Sequence, residues 1–93
     1  MYMSLKNWYV KENSIDISLM YSFVRITFIP NDGIITYQLD IYQDAKKELT
    51  INFSSLEEAI EFTEEVVNKY RTIDQIMAAR RKKEKRKVRS IKD

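Results

Sequence analysis

From Ile15 to Phe53 the chain alternates apolar and polar side chains with a period of two, and from Ser54 onward it does not. This switch constrains the fold more than any other feature. Period two sends successive side chains to opposite faces of a strand, whereas a period near 3.6 lines them along one side of a helix. In "SIDISLMYS" the apolar set is Ile15, Ile17, Leu19 and Tyr21, and in "VRITFI" it is Val24, Ile26 and Phe28. The change of parity between Tyr21 and Phe23 predicts a bulge or a break between two strands, because one extra residue flips every later side chain. "PNDG" at Pro30 to Gly33 is the strongest turn signal, with Gly33 supplying the positive φ of a tight hairpin. "IITYQLDIY" then places Ile35, Tyr37, Leu39 and Ile41 on one face. "QDAKK" makes the next turn, and "ELTINF" points Leu49, Ile51 and Phe53 inward. A weaker strand is expected around Trp8 to Lys11.

At "FSSLEEAIEF" the period lengthens. Ser54 with Glu57, or Ser55 with Glu58, fits a capping box, in which hydroxyl and carboxylate satisfy the first amides of a helix. Leu56, Ala59, Ile60, Thr63, Val66, Val67, Tyr70, Ile73 and Met77 recur every three or four residues, an apolar stripe fit to cover one face of a sheet. Thr72 with Gln75 imitates a second capping box and offers a break at "RTIDQ". Against that break, no Gly or Pro stops the helix, and Ala78 to Lys87 are nearly all good helix formers. The expectation is therefore continuation past Arg71. The expected fold class is α+β: an antiparallel β-sheet of three to five strands, then one long C-terminal α-helix packed on the sheet and projecting beyond it. Residues 1–79 are read as a single α+β domain, with strands to about 53 and helix from about 55. Residues 80–93 are read as a basic helical extension or tail.

Composition limits the chemistry. The apolar fraction of 44% suits a folded chain, and 93 residues suffice for one core. With no Cys there is no disulfide, thiolate metal site or thiol nucleophile, and with no His the usual neutral-pH base and metal-ligand nitrogen are missing. The expectation is a non-enzymatic protein without cofactor or metal. No segment approaches the roughly 18 apolar residues of a membrane span, and "MYMSLKNWYV" has no signal-like apolar stretch, so a cytoplasmic protein is expected.

The net charge of +2 conceals a division. Residues 1–79 carry seven basic and twelve acidic side chains, for −5, and residues 80–93 carry nine basic and two acidic, for +7. Spaced at about 100° per residue, Arg80, Arg81, Lys82, Lys83, Lys85, Arg86, Lys87 and Arg89 point in every direction around a helix. Such a helix cannot lie on its own core. With only Val88 and Ile91 apolar, it also lacks the face that a membrane-surface helix needs. A helix dipole favours two or three cations near its end, not nine. These eight residues are the expected contact with nucleic acid, a nucleoprotein or another acidic partner. Four or five phosphate contacts on duplex DNA would give a salt slope of roughly −4 to −5. Trp8, Tyr9, Tyr37 and Tyr42 are further candidates for base stacking, or else packing residues.

A protein partner is the second expectation. Glu57, Glu61 and Glu65 form an i,i+4 row, which is either a solvated face or a contact surface. Phe62 and Ile76, lying off the main stripe, would mark a second contact. The acidic half of one long helix would then meet the basic half of another in a homodimer, or the acidic row would occupy the basic groove of a nucleic-acid enzyme. In its wealth of Ile, Lys, Asn and Tyr, its size and its segregated charge, the chain is similar to small proteins of bacteriophages and mobile elements, anti-CRISPR proteins among them. The resemblance implies an inhibitor or adaptor of a host protein such as a nucleic-acid-processing enzyme. It rests on composition over the whole chain, and no residue's role follows from it. The order of strands then helix is likewise similar to single-strand-binding coactivator folds.

Overall fold

A computed structural model describes the backbone of residues 7–92 and the side chains of residues 7–82. Five strands form one antiparallel sheet in sequential order: β1 (Tyr9–Val10), β2 (Ser14–Ser18), β3 (Phe23–Asn31), β4 (Ile34–Gln43) and β5 (Lys46–Phe53). Two registers explain the core. Ile15, Ile26, Leu39 and Ile51 stand opposite one another across four strands, and Ile17, Val24, Ile41 and Leu49 form the adjacent row. The first row is almost wholly removed from solvent, and its three β-branched isoleucines suit a pleated surface buried on one side.

The parity change near Tyr21 is a break. β2 ends at Ser18, the Leu19 amide donates to the Ser22 carbonyl at 2.7 Å, and β3 starts at Phe23. The two later hairpins turn on two residues each. Asp32 and Gly33 have φ of 53° and 80°, and Asp44 and Ala45 have φ of 53° and 62°. Positive φ at both central positions matches the right-handed twist of the flanking strands. A register shift at Ile41/Tyr42 leaves Glu48 as the extra residue of β5, so Leu49 faces the core while Lys47 stands beside Tyr42.

The helical part departs from the expected fold class. There is no single long C-terminal helix lying across the sheet. α1 (Leu56–Phe62) runs into a π-helical turn (Thr63–Val67) capped by Asn68, no helix spans residues 68–72, and α2 (Ile73–Lys92) starts afresh. Ser55 caps α1, its hydroxyl accepting the Glu58 amide at 3.3 Å. The Thr63 hydroxyl donates to the Ala59 carbonyl at 2.9 Å, and the Asn68 amide reaches back to the Thr63 carbonyl at 2.9 Å, the wider spacing of a π turn. The break itself is held by the pair that marked it in the sequence. The Gln75 amide donates to the Thr72 hydroxyl at 3.2 Å, and the Gln75 side-chain oxygen accepts the Thr72 and Arg71 amides at 3.2 and 3.1 Å. Good helix formers favour continuation by only tenths of a kcal/mol each, whereas a complete capping box satisfies several amides at one point.

The break also re-phases the helical face. Ile76 is fully buried beside the π turn, and Met77 is 37% exposed. Phe62 is 4% exposed, its ring 5.6 Å from that of Phe53. α1 lies against β4 and β5 on the core side. The expected surface pair Phe62 and Ile76 therefore belongs to the core. The homodimer expected through a continuous helix has neither that helix nor those two side chains available.

Candidate functional site

The helices cover one face of the sheet, and among the described residues no helix packs on the other. Strand alternation sends to this open face the partners of the core rows. Tyr9, Asp16, Arg25, Asp40 and Thr50 are register partners in one line across all five strands. Arg25 holds Asp16 with two parallel bonds, Nε to Oδ1 at 2.9 Å and an NH2 group to Oδ2 at 3.0 Å. Lys11 adds an ion pair to Asp16 at 3.1 Å. Asp40 accepts from the Thr50 hydroxyl at 2.6 Å and from the Gln38 amide at 3.2 Å, with Lys47 at 3.8 Å. Both carboxylates are nearly buried beneath these longer side chains, although the face as a whole is open.

The hydrogen bond from Arg25 holds the Asp16 carboxyl below its ordinary value. Burial pushes the other way, and the bond and charge of Lys11 add to the lowering. A carboxylate gripped bidentately by a guanidinium is an acceptor already in use, so the line reads as a brace across the sheet. It does not read as a general acid or base.

At the end of the open face nearest the first turn, the chemistry changes. Ser18, Phe23, Tyr42 and Lys47 are register partners across four strands. The Phe23 and Tyr42 rings meet edge to face at 5.9 Å, and the Arg25 guanidinium lies 5.7 Å from the Phe23 ring. Beside them the turn after β2 and the Asp44–Ala45 turn enclose an open cavity of about 340 Å³. Gln43 ties this corner to the helices, donating to the Ser22 hydroxyl at 3.1 Å and to the Arg71 carbonyl at 2.8 Å. The Arg71 guanidinium in turn lies over the Tyr21 ring at 5.1 Å.

The basic residues singled out in the sequence sit on α2. Arg81 and Lys82 are exposed, and Arg80 is half-buried. The side chains of Lys83, Lys85, Arg86, Lys87 and Arg89 lie outside the described residues. Between the π turn and α2 runs a groove of about 470 Å³, floored by Val66, Tyr70 and Ala79 and rimmed by Glu65, Lys69 and Lys82. Glu57 and Glu61 are half-buried and Glu65 exposed, on the opposite limb of the helical pair from the cations. The four aromatic candidates divide. Tyr9 and Tyr42 stand on the open face. Trp8 is buried with the core, its indole NH 3.5 Å from Glu64, and Tyr37 packs edge to face on Phe28 from the core side. Phe23 was missed, because "YSFVRI" gives no sign of which side of the strand break begins the new register.

No group of three or more acidic, His or Cys side chains that could hold a metal ion occurs among the described residues, and no helix there is long and apolar enough to cross a membrane. No family model, curated protein or solved structure matches the chain.

Proposed function

We propose that this is a small, non-enzymatic binding protein that engages nucleic acid, free or within a nucleoprotein, through the basic segment of α2. The observation that carries the reading is the separation of charge along the fold. Nine of the last fourteen residues are Lys or Arg, and they follow a capping box that detaches α2 from the sheet-packed helix. Five acidic residues of the helical region, Glu57, Glu58, Glu61, Glu64 and Glu65, lie on α1 and the π turn, against Asp74 and Glu84 on α2. Clustered cations on a helix bind phosphates by releasing condensed counterions, without sequence preference. The run has no Asn or Gln to read adenine in a major groove, so positioning on the backbone is its natural task.

The test uses the full chain and a variant with Arg81→Gln, Lys82→Gln, Lys83→Gln and Lys85→Gln. Fluorescence anisotropy with a labelled oligonucleotide at low salt is expected to show at least about a hundredfold weaker binding by the variant, some four phosphate contacts being lost. Equal binding by the two proteins would remove α2 as the contact.

A further inference from the structure

We infer that the open-face corner around Phe23 and Tyr42 is a stacking site for a base of single-stranded nucleic acid. The inference rests on the nucleic-acid reading of α2 for its ligand class, and it specifies which form of nucleic acid is taken and where. Three observations converge on it.

The first is a pair of half-buried rings, Phe23 and Tyr42, on a sheet face that no described helix covers. Rings within a core are packed on every side, but these two border a cavity of about 340 Å³. That volume lies at the small end of ligand pockets and suits one base with its sugar.

The second is charge. Arg71 lies over Tyr21 on the cavity wall, whereas Arg25 by Phe23 and Lys47 beside Tyr42 are paired with Asp16 and Asp40. Arg71 is exposed, and no described carboxylate pairs with it. A planar group carrying a phosphate meets a ring and the Arg71 cation together here. Asp44, exposed on the rim, is placed to accept from the amino group of a base.

The third is connection. The Gln43 side chain bonds the turn at Ser22 to the Arg71 carbonyl, one residue before the cap of α2. A strand stacked at the corner thus starts beside the helix that carries the basic run. Duplex bases are already stacked on one another, so a ring bordering an open cavity favours a base of a single strand.

The test uses the full chain throughout. Titration of the isotopically labelled protein with cytidine 5′-monophosphate, followed by amide NMR, is expected to move Phe23, Tyr42 and Asp44. Anisotropy with a single strand of about eight nucleotides should show about tenfold weaker binding for Tyr42→Ala and no more than about a twofold change for Tyr42→Phe, which keeps the ring. Arg71→Gln serves where thermal melting shows that Tyr42→Ala does not fold, and it should weaken the single strand several-fold. Equal binding by the Ala and Phe variants, or no shift of the three amides, overturns the proposal. The two readings fail separately. If the α2 substitutions leave affinity intact and Tyr42→Ala does not, the stacking site stands and the basic helix falls. If only the α2 substitutions matter and duplex binds as tightly as single strand, the stacking site falls and the helix stands.

Discussion

Thr72 and Gln75 hold each other at the start of α2, each backbone amide donating to the other's side-chain oxygen at 3.2 Å. This reciprocal pair decides the architecture. It ends the reach of the first helix, buries Ile76 and leaves the basic run on a helix of its own. Replacing Thr72 by Ala is expected to destabilise the protein by about 1 kcal/mol. Hydrogen exchange should locate the loss, with the amides of Asp74 and Gln75 accelerated more than those of β3. An unchanged exchange pattern would show that the cap does not hold the break.

Ile76 separates the observed fold from a continuous helix. Fully buried, it should cost roughly 2–5 kcal/mol as Ile76→Ala, whereas Met77→Ala, one residue along the same helix and partly exposed, should cost well under half of that. Chemical denaturation of the two variants checks the ordering. A reversed ordering would restore the phase of a single unbroken helix.

Those two positions mark where the sequence stopped being legible. Alternation located the inward sets of β3, β4 and β5 apart from Ile35, which is exposed near the hairpin end, because a face buried on one side fixes register strongly. The turn at Asp32–Gly33 and the cap at Ser55 were readable from residue chemistry alone. What escaped was tertiary. The second capping box was visible in "TIDQ", but summed helix propensity outweighed it on paper. In the fold, burial of Ile76 tips the balance the other way, and propensity contains no such term. From the break onward, a constant rotation per residue assigned Met77 to the core and left Ile76 out. At the candidate site, the cations were conspicuous in the sequence. The ring pair Phe23–Tyr42 was not, since it depends on the register that the strand break sets.

The Asp16–Arg25 brace predicts a pH dependence. The folded-state value of Asp16 is depressed below the ordinary 3.8, so its stabilisation is complete above that value and is lost as pH falls through the lower folded value. Asp16→Asn should lower stability by roughly 1–2 kcal/mol near neutral pH, at the modest end because Arg25 is partly exposed. Thermal melts of both proteins should differ by a constant amount above about pH 5 and converge below about pH 4. A gap independent of pH would mean that the charge of Asp16 is not what the brace uses.

Ala45 occupies left-handed backbone at φ 62°, a position that Gly33 fills in the preceding hairpin. Relief of about 1–2 kcal/mol from that conformation exceeds the roughly 0.4–1 kcal/mol that a glycine loses through the unfolded chain. Ala45→Gly is therefore expected to stabilise the protein by about 0.5 kcal/mol, and Gly33→Ala to destabilise it by a similar or larger amount. Melting temperatures that move the other way would contradict the assigned turn geometry.

The most direct test of the central claim is the salt dependence of oligonucleotide binding by the full chain, followed by anisotropy between about 50 and 200 mM salt. With four or five phosphates engaged on a single strand, the logarithm of affinity should fall against the logarithm of salt with a slope of about −3. A slope near zero, or no binding at the lowest salt, would contradict the account.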